Sequence, residues 1–321
     1  MARPSKHVVV IGPGAIGCMM AVRLAKASAR ITLIDHRAER AERLGARPII
    51  IHTPAGDLEA RIPVRLAPDE PPDFVILATK AHAARTAAEA AARWIADAPL
   101  VTIQNGLGVT EEVAQALPRT DVITGVIYQG ANVVAEGEVA HVANLKIHVG
   151  YIGRPGGTAA EAVAALLGRA GLPAVVEADM RPQVWGKLIV NAAINPVAAL
   201  AGVTNGAVAA RPTLRALAQA VAEEGEATAR AEGIALPYQS AVEAALDTAR
   251  KTADNRCSML QDLEAGRPTE IDYLNGAIVR EAERHGVATP AGRALAALVR
   301  QVSAKRSAEC GVRSDRHGIS E

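Results

Sequence analysis

Aromatic side chains are scarce in this chain: one Phe, two Trp and four Tyr among 321 residues whose composition is half hydrophobic. Without interleaved rings there is little for nucleic-acid bases to stack on, which argues against a nucleic-acid partner. An excess of charge of one sign is missing too. Lys and Arg number 35 and Asp and Glu 34, for a formal net charge of +1, so no field gathers a polyanion or a membrane surface. Cysteine is rare, and Cys18, Cys257 and Cys310 lie too far apart to give a metal-ligand spacing. A few widely spaced thiols suit a reducing compartment, so the expected location is cytoplasmic. A long apolar run near the start is also lacking: residues Met1 to His7 are polar, and Gly12 stops the run Val8 to Ile11. Neither a signal-peptide core nor a membrane span is predicted there. The expected partner is a small molecule.

A chain of 321 residues exceeds the size at which one hydrophobic core usually keeps growing, which favours two domains. His7 to Ile11 reads as a buried strand, Ala15 to Ala27 as a helix and Arg30 to Ile34 as a second strand, a βαβ unit. Further apolar runs at Phe74 to Ala78, Leu100 to Ile103, Val122 to Tyr128 and Lys146 to Tyr151 alternate with Ala-rich stretches such as Ala83 to Ala96. That alternation predicts a doubly wound parallel sheet. After about residue 178 strand signals stop. Helical stretches follow at Arg181 to Ala201, Pro212 to Glu232, Gln239 to Glu264, Thr269 to His285 and Ala291 to Ala304, parted by Gly and Pro. The reading is therefore an α/β domain over 1–178, an all-α domain over 179–306 and a flexible polar tail over 307–321. Ala-rich helices of this kind suit an internal core and a homodimer interface equally.

Gly12-Pro13-Gly14-Ala15-Ile16-Gly17 lies between the first strand and the first helix, where G-x-G-x-x-G becomes a dinucleotide fingerprint. Gly12 permits the tight turn, Gly14 lets backbone approach a pyrophosphate, and Gly17 lets helix and strand pack closely. The helix N-terminus, at Ala15 and Ile16, offers unpaired N–H groups. Asp35 ends the second strand, where a carboxylate accepts ribose hydroxyls of NAD and repels the 2′-phosphate of NADP. Arg37, two residues on, pulls the other way, because a guanidinium pairs with that phosphate. Lys80 and Asn105 each follow a predicted strand, where open α/β sheets bind ligands and where turn residues also occur.

In the second half Lys187, Asn191 and Asn195 are spaced i, i+4, i+8 and share one face of a helix whose other residues are nearly all apolar. Polar groups on a buried helix need partners, and a ligand supplies them. The plainer reading has the asparagines satisfying backbone groups and Lys187 reaching for solvent. Glu270 follows Pro268 and Thr269 at an expected helix start, where the dipole stabilises a carboxylate. Asn255 and Ser258 share a helical face among charged neighbours, which reads as surface.

Taken together, the blocks GPGAIG (Gly12 to Gly17), ATKAHA (Ala78 to Ala83), IQNGLG (Ile103 to Gly108), WGKLIVNAAINP (Trp185 to Pro196) and NRCSMLQDLEAGRPTEIDYLNG (Asn255 to Gly276) resemble the ketopantoate reductase family over nearly the whole chain. The resemblance implies a Rossmann domain followed by a helical one with the active site in the cleft between them, and reduction of a 2-keto acid by NADP(H). It implies Lys187 as general acid and Glu270 as a substrate-orienting catalytic carboxylate. Asn105, Asn191, Asn195 and Ser258 become substrate contacts, with Asn105 also near the cofactor, and Lys80 a cofactor residue. The sequence departs from the family at Asp35-His36-Arg37, where NADPH-preferring members commonly carry a basic residue just after the strand. That departure makes NAD(H) plausible and brings in the NAD-linked D-2-hydroxyacid (mandelate-type) dehydrogenases of the same fold as an alternative.

Overall fold

The computed structural model describes residues 6–154 and 157–317; residues 1–5 of the polar lead and 318–321 of the expected tail lie outside them. The chain divides into two compact units, one of Met1–Gln104 with Gly108–Arg181 and one of Asn105–Leu107 with Pro182–Glu321.

The first unit begins with the expected βαβ: β1 (His7–Ile11), α1 (Ala15–Lys26) and β2 (Arg30–Ile34). It continues through α2 (Ala38–Gly45), β3 (Ile49–Thr53), β4 (Gly56–Ala60), β5 (Val64–Arg65), β6 (Phe74–Leu77), α3 (Ala81–Ala91), β7 (Leu100–Thr102) and α4 (Val109–Ala116). The long hairpin of β8 (Val122–Ala135) and β9 (Glu138–Gly150), then α5 (Thr158–Arg169) and β10 (Ala174–Glu177), complete it. Sheet order is β4-β3-β9-β8-β7-β6-β1-β2-β5, with β10 on β9. From β8 to β5 every neighbouring pair is parallel. The sheet as a whole is mixed, because β9 runs antiparallel to β8 and β4 to β3. The purely parallel expectation is corrected there: β8 and β9 are joined by a turn at Glu136-Gly137, and so short a connection permits only antiparallel pairing. On the sheet lies α1, with Met19, Met20 and Leu24 all but inaccessible, each contributing roughly 1.5–3 kcal/mol by burial.

The second unit is helical: α6 (Arg181–Ala201), α7 (Asn205–Ala210), α8 (Pro212–Ala231), α9 (Ala241–Lys251), α10 (Ser258–Glu264), α11 (Asn275–Arg284) and α12 (Pro290–His317). Its core forms around α6, through Trp185, Leu188, Ile189 and Val197. Among the described residues α6 is the one helix long and apolar enough to cross a membrane, and 72% of its apolar window is buried in the protein. Three boundaries differ from the sequence reading. The stretch Gln239 to Glu264 is two helices, because the loop between them uses its backbone elsewhere: Ala253 O and Asn255 O accept from Gly206 N and Asn205 N at the start of α7, both at 3.0 Å. Asn255 therefore sits in a loop and shares no helical face with Ser258. The helix expected from Thr269 begins at Asn275, since Leu274 (φ −101°, ψ −102°) is not helical. At the other end α12 continues past residue 306, through a segment without proline.

Candidate active site

In the first unit the Gly-rich turn is built by contact. A Cβ on Gly17 would come within 2.0 Å of Gly12 O, so only glycine lets α1 start this close to β1. A Cβ on Gly14 meets nothing within 4 Å: the turn is open on the side where a pyrophosphate would lie. No acidic residue stands in the first turn of α1, so the N–H groups of Ala15, Ile16 and Gly17 and the positive end of the helix dipole remain unopposed. Beside the turn, the buried Thr79 Oγ1 has no hydrogen-bond partner among the described residues. Lys80 follows it and caps α3. An open cradle, a free helix N-terminus and an orphaned hydroxyl at the C-terminal edge of β1 and β6 fit a dinucleotide.

Asp35 is placed at that edge after β2, but its carboxylate is already engaged. It is 1% exposed, with Oδ1 accepting from Arg37 N at 3.1 Å and Oδ2 from Arg40 Nη1 at 3.0 Å. Arg40 also donates from Nη2 to Pro13 O at 2.8 Å, clamping the turn to the strand end. The side chains of His36 and Arg37 approach Asp35 Oδ1 to 3.4 and 3.9 Å but are themselves 88% and 58% exposed. Nothing in the sequence pattern singles out Arg40. A second residue not singled out there, Gln104, donates to Leu77 O at 2.7 Å and Thr79 O at 3.2 Å, fixing the Thr79-Lys80 segment.

In the second unit Lys187, Asn191 and Asn195 lie along α6 as their spacing requires. Glu270 is 7% exposed and sits in the turn ahead of α11, so the helix-start reading is corrected. Its direction is set by its own turn, with Tyr273 N and Leu274 N both donating to Glu270 O, at 3.0 and 3.1 Å. Asn105 reaches this turn through a short loop: Leu107 N donates to Tyr273 O at 3.0 Å and Asn105 Nδ2 lies 3.5 Å from Glu270 Oε2. Gly106, at φ +105°, makes that approach possible, because a Cβ there would stand 2.5 Å from Tyr273 O.

Burial lowers the Lys187 pKa to about 8, and the Glu270 charge partly offsets this by favouring the ammonium. An amine at about 8 next to a buried carboxylate can give up a proton near neutral pH. Ser258 is exposed at the start of α10. Its neighbour Cys257, whose thiol burial pushes up to about 11, donates from Sγ to Asn195 O at 3.5 Å. Of the residues singled out by the sequence, Gly12 to Gly17, Asp35, Arg37 and Lys80 fall in the first unit, and Asn105, Lys187, Asn191, Asn195, Ser258 and Glu270 in the second.

The 2-dehydropantoate 2-reductase of Halobacterium salinarum is 34% identical over 298 residues, 92% of this chain and 98% of its own. A PanE/ApbA family ketopantoate reductase from Ralstonia eutropha JMP134 superposes with a TM-score of 0.85 at 29% identity, covering 94% of this chain and 99% of that one. D-mandelate dehydrogenase, solved with NADH and anilino(oxo)acetate, shares the fold at a TM-score of 0.85 and 24% identity over 94% of this chain and 99% of its own. The family profile "Ketopantoate reductase PanE/ApbA" matches residues 8–154 and its C-terminal counterpart residues 179–303. With both halves matched, the chain belongs to the ketopantoate reductase PanE/ApbA family, an NAD(P)-dependent oxidoreductase with an N-terminal Rossmann-like domain and a helical C-terminal domain.

Proposed function

We propose that this protein reduces ketopantoate to pantoate with NADPH, as a 2-dehydropantoate 2-reductase on the route to coenzyme A. The observation that carries this reading is the Lys187–Glu270–Asn105 constellation: an ammonium desolvated to a pKa of about 8, a buried carboxylate beside it and an amide within 3.5 Å of that carboxylate. When bound, the reduced nicotinamide supplies a hydride for the C2 ketone. Lys187 donates a hydrogen bond to the ketone oxygen and then passes its proton to the developing alkoxide, which leaves a 2-hydroxy acid and a neutral amine. Asn105, Asn191, Asn195 and Ser258 orient the substrate. Glu270 holds the ammonium and accepts from the 4-hydroxyl of ketopantoate; a keto acid without that hydroxyl forgoes this hydrogen bond and is disfavoured.

NADPH is the preferred reductant because Asp35 has no accessible oxygen to offer a ribose hydroxyl, while His36 and Arg37 present donors to a 2′-phosphate. Gly12, Gly14, Ala15, Ile16 and Gly17 would hold the pyrophosphate, with Lys80 nearby. Initial rates of reduced-nicotinamide loss, with ketopantoate against a panel of 2-keto acids and with NADPH against NADH, test both halves. Ketopantoate with NADPH is the expected best pair; aryl or branched keto acids with NADH as the best pair would make the protein a D-2-hydroxyacid dehydrogenase.

A further inference from the structure

Helix α6 carries a proline in its interior, Pro196. Proline has no N–H, so the carbonyl four residues earlier, that of Ala192, loses its helical donor. Ala192 is wholly buried, and a buried carbonyl without a donor is costly. The missing donor comes from another part of the chain: Asn275 Nδ2 donates to Ala192 O at 3.1 Å. Asn275 is itself 0% exposed, and its Oδ1 has no partner among the described residues. A side chain buried with half its amide unsatisfied is a poor choice for packing alone, so its value lies in the bond it makes.

The position of that bond matters. Ala192 follows Asn191 directly and lies between Lys187 and Asn195 on α6. Asn275 directly follows the Glu270–Leu274 turn, whose carbonyls at Glu270 and Tyr273 are tied to Tyr273 N, Leu274 N and Leu107 N. We propose that Asn275 is a positioning residue: by replacing the helical hydrogen bond that Pro196 cannot make, it fixes the Glu270 turn, and with it Asn105, against α6, the helix that carries Lys187. This rests on the assignment of Lys187 and Glu270 to proton transfer.

A double-mutant cycle tests it. Pro196→Ala restores a backbone N–H to Ala192 O, so the loss of Asn275 should matter much less in that background. Asn275→Ala alone is expected to lower kcat/KM for ketopantoate by roughly tenfold or more and to lower Tm. It should also move the pH at which the rate falls below its wild-type position near 8, since a displaced carboxylate no longer supports the ammonium. The pair Pro196→Ala/Asn275→Ala should recover most of the Tm and rate. A role in packing alone would lower Tm without moving the pH profile and without rescue. Should Asn275→Ala fail to fold, folding of the double variant supports the proposal and its failure overturns it. Equal losses in both backgrounds also overturn it. Wild-type turnover of ketopantoate reports separately on the functional assignment, because the coupling in Tm requires no substrate.

Discussion

A lysine donates protons near neutral pH only when its surroundings disfavour the ammonium, and the two influences on Lys187 oppose each other: burial lowers its pKa and Glu270 raises it, the net value being about 8. As proton donor the lysine must be charged, so kcat/KM for reduction is expected to be flat below about pH 8 and to fall above it. Glu270→Gln removes the opposing charge, and the break should move to lower pH; a profile that still breaks near 8 would detach Glu270 from Lys187. At the other site Arg40 decides what Asp35 presents. Arg40→Gln frees a carboxylate that repels a 2′-phosphate and accepts a ribose hydroxyl, so NADPH affinity should drop roughly tenfold or more relative to NADH, measured by fluorescence titration. Equal weakening of both would remove this pair from cofactor choice. Asp35 and Arg37 were legible from their place after a strand, but Arg40 was not. Its guanidinium folds back to Pro13 O, 27 residues upstream, and no local periodicity encodes such a contact.

Elements were legible in proportion to how far local pattern decides them. The apolar run of α6, broken from Gln183 to Asn195 by a polar residue only at every fourth position, gave a helix over Arg181–Ala201 as observed. The turn that aims Glu270 was read as helix because Thr269 to His285 has helical composition, while its geometry depends on tertiary bonds to Leu107 and Ala192. The glycine at 106 is where that dependence can be tested. Gly106→Ala brings a Cβ to within 2.6 Å of Tyr273 Cβ at a positive φ, so the Asn105–Leu107 loop must leave the turn. A displacement of this size is expected to lower kcat/KM by roughly a hundredfold, with Asn105→Ala reproducing most of the loss. Near-normal turnover of Gly106→Ala would show that Asn105 need not meet Glu270.

At the scale of the molecule, the residues proposed to hold the dinucleotide and those proposed to transfer the proton belong to different units with different cores, the first around α1 and the sheet and the second around α6. The sequence boundary near residue 178 falls close to the division at Arg181, while the return of Asn105–Leu107 to the second unit was invisible, since three residues carry no pattern of their own. This division of labour makes binding and chemistry separable by mutation. A ligand at about one hundred times its Kd stabilises the fold that binds it by roughly 2.7 kcal/mol, so saturating NADPH should raise the unfolding temperature of the wild type. Lys187→Ala should keep that increment in full, because the Gly-rich turn proposed to hold the pyrophosphate lies on the first unit, yet lose turnover by several orders of magnitude. Arg40→Gln should show the converse, a reduced NADPH increment with ketopantoate turnover recovered at high cofactor. If Lys187→Ala loses the NADPH increment as well as turnover, Lys187 holds the cofactor and another group must supply the proton.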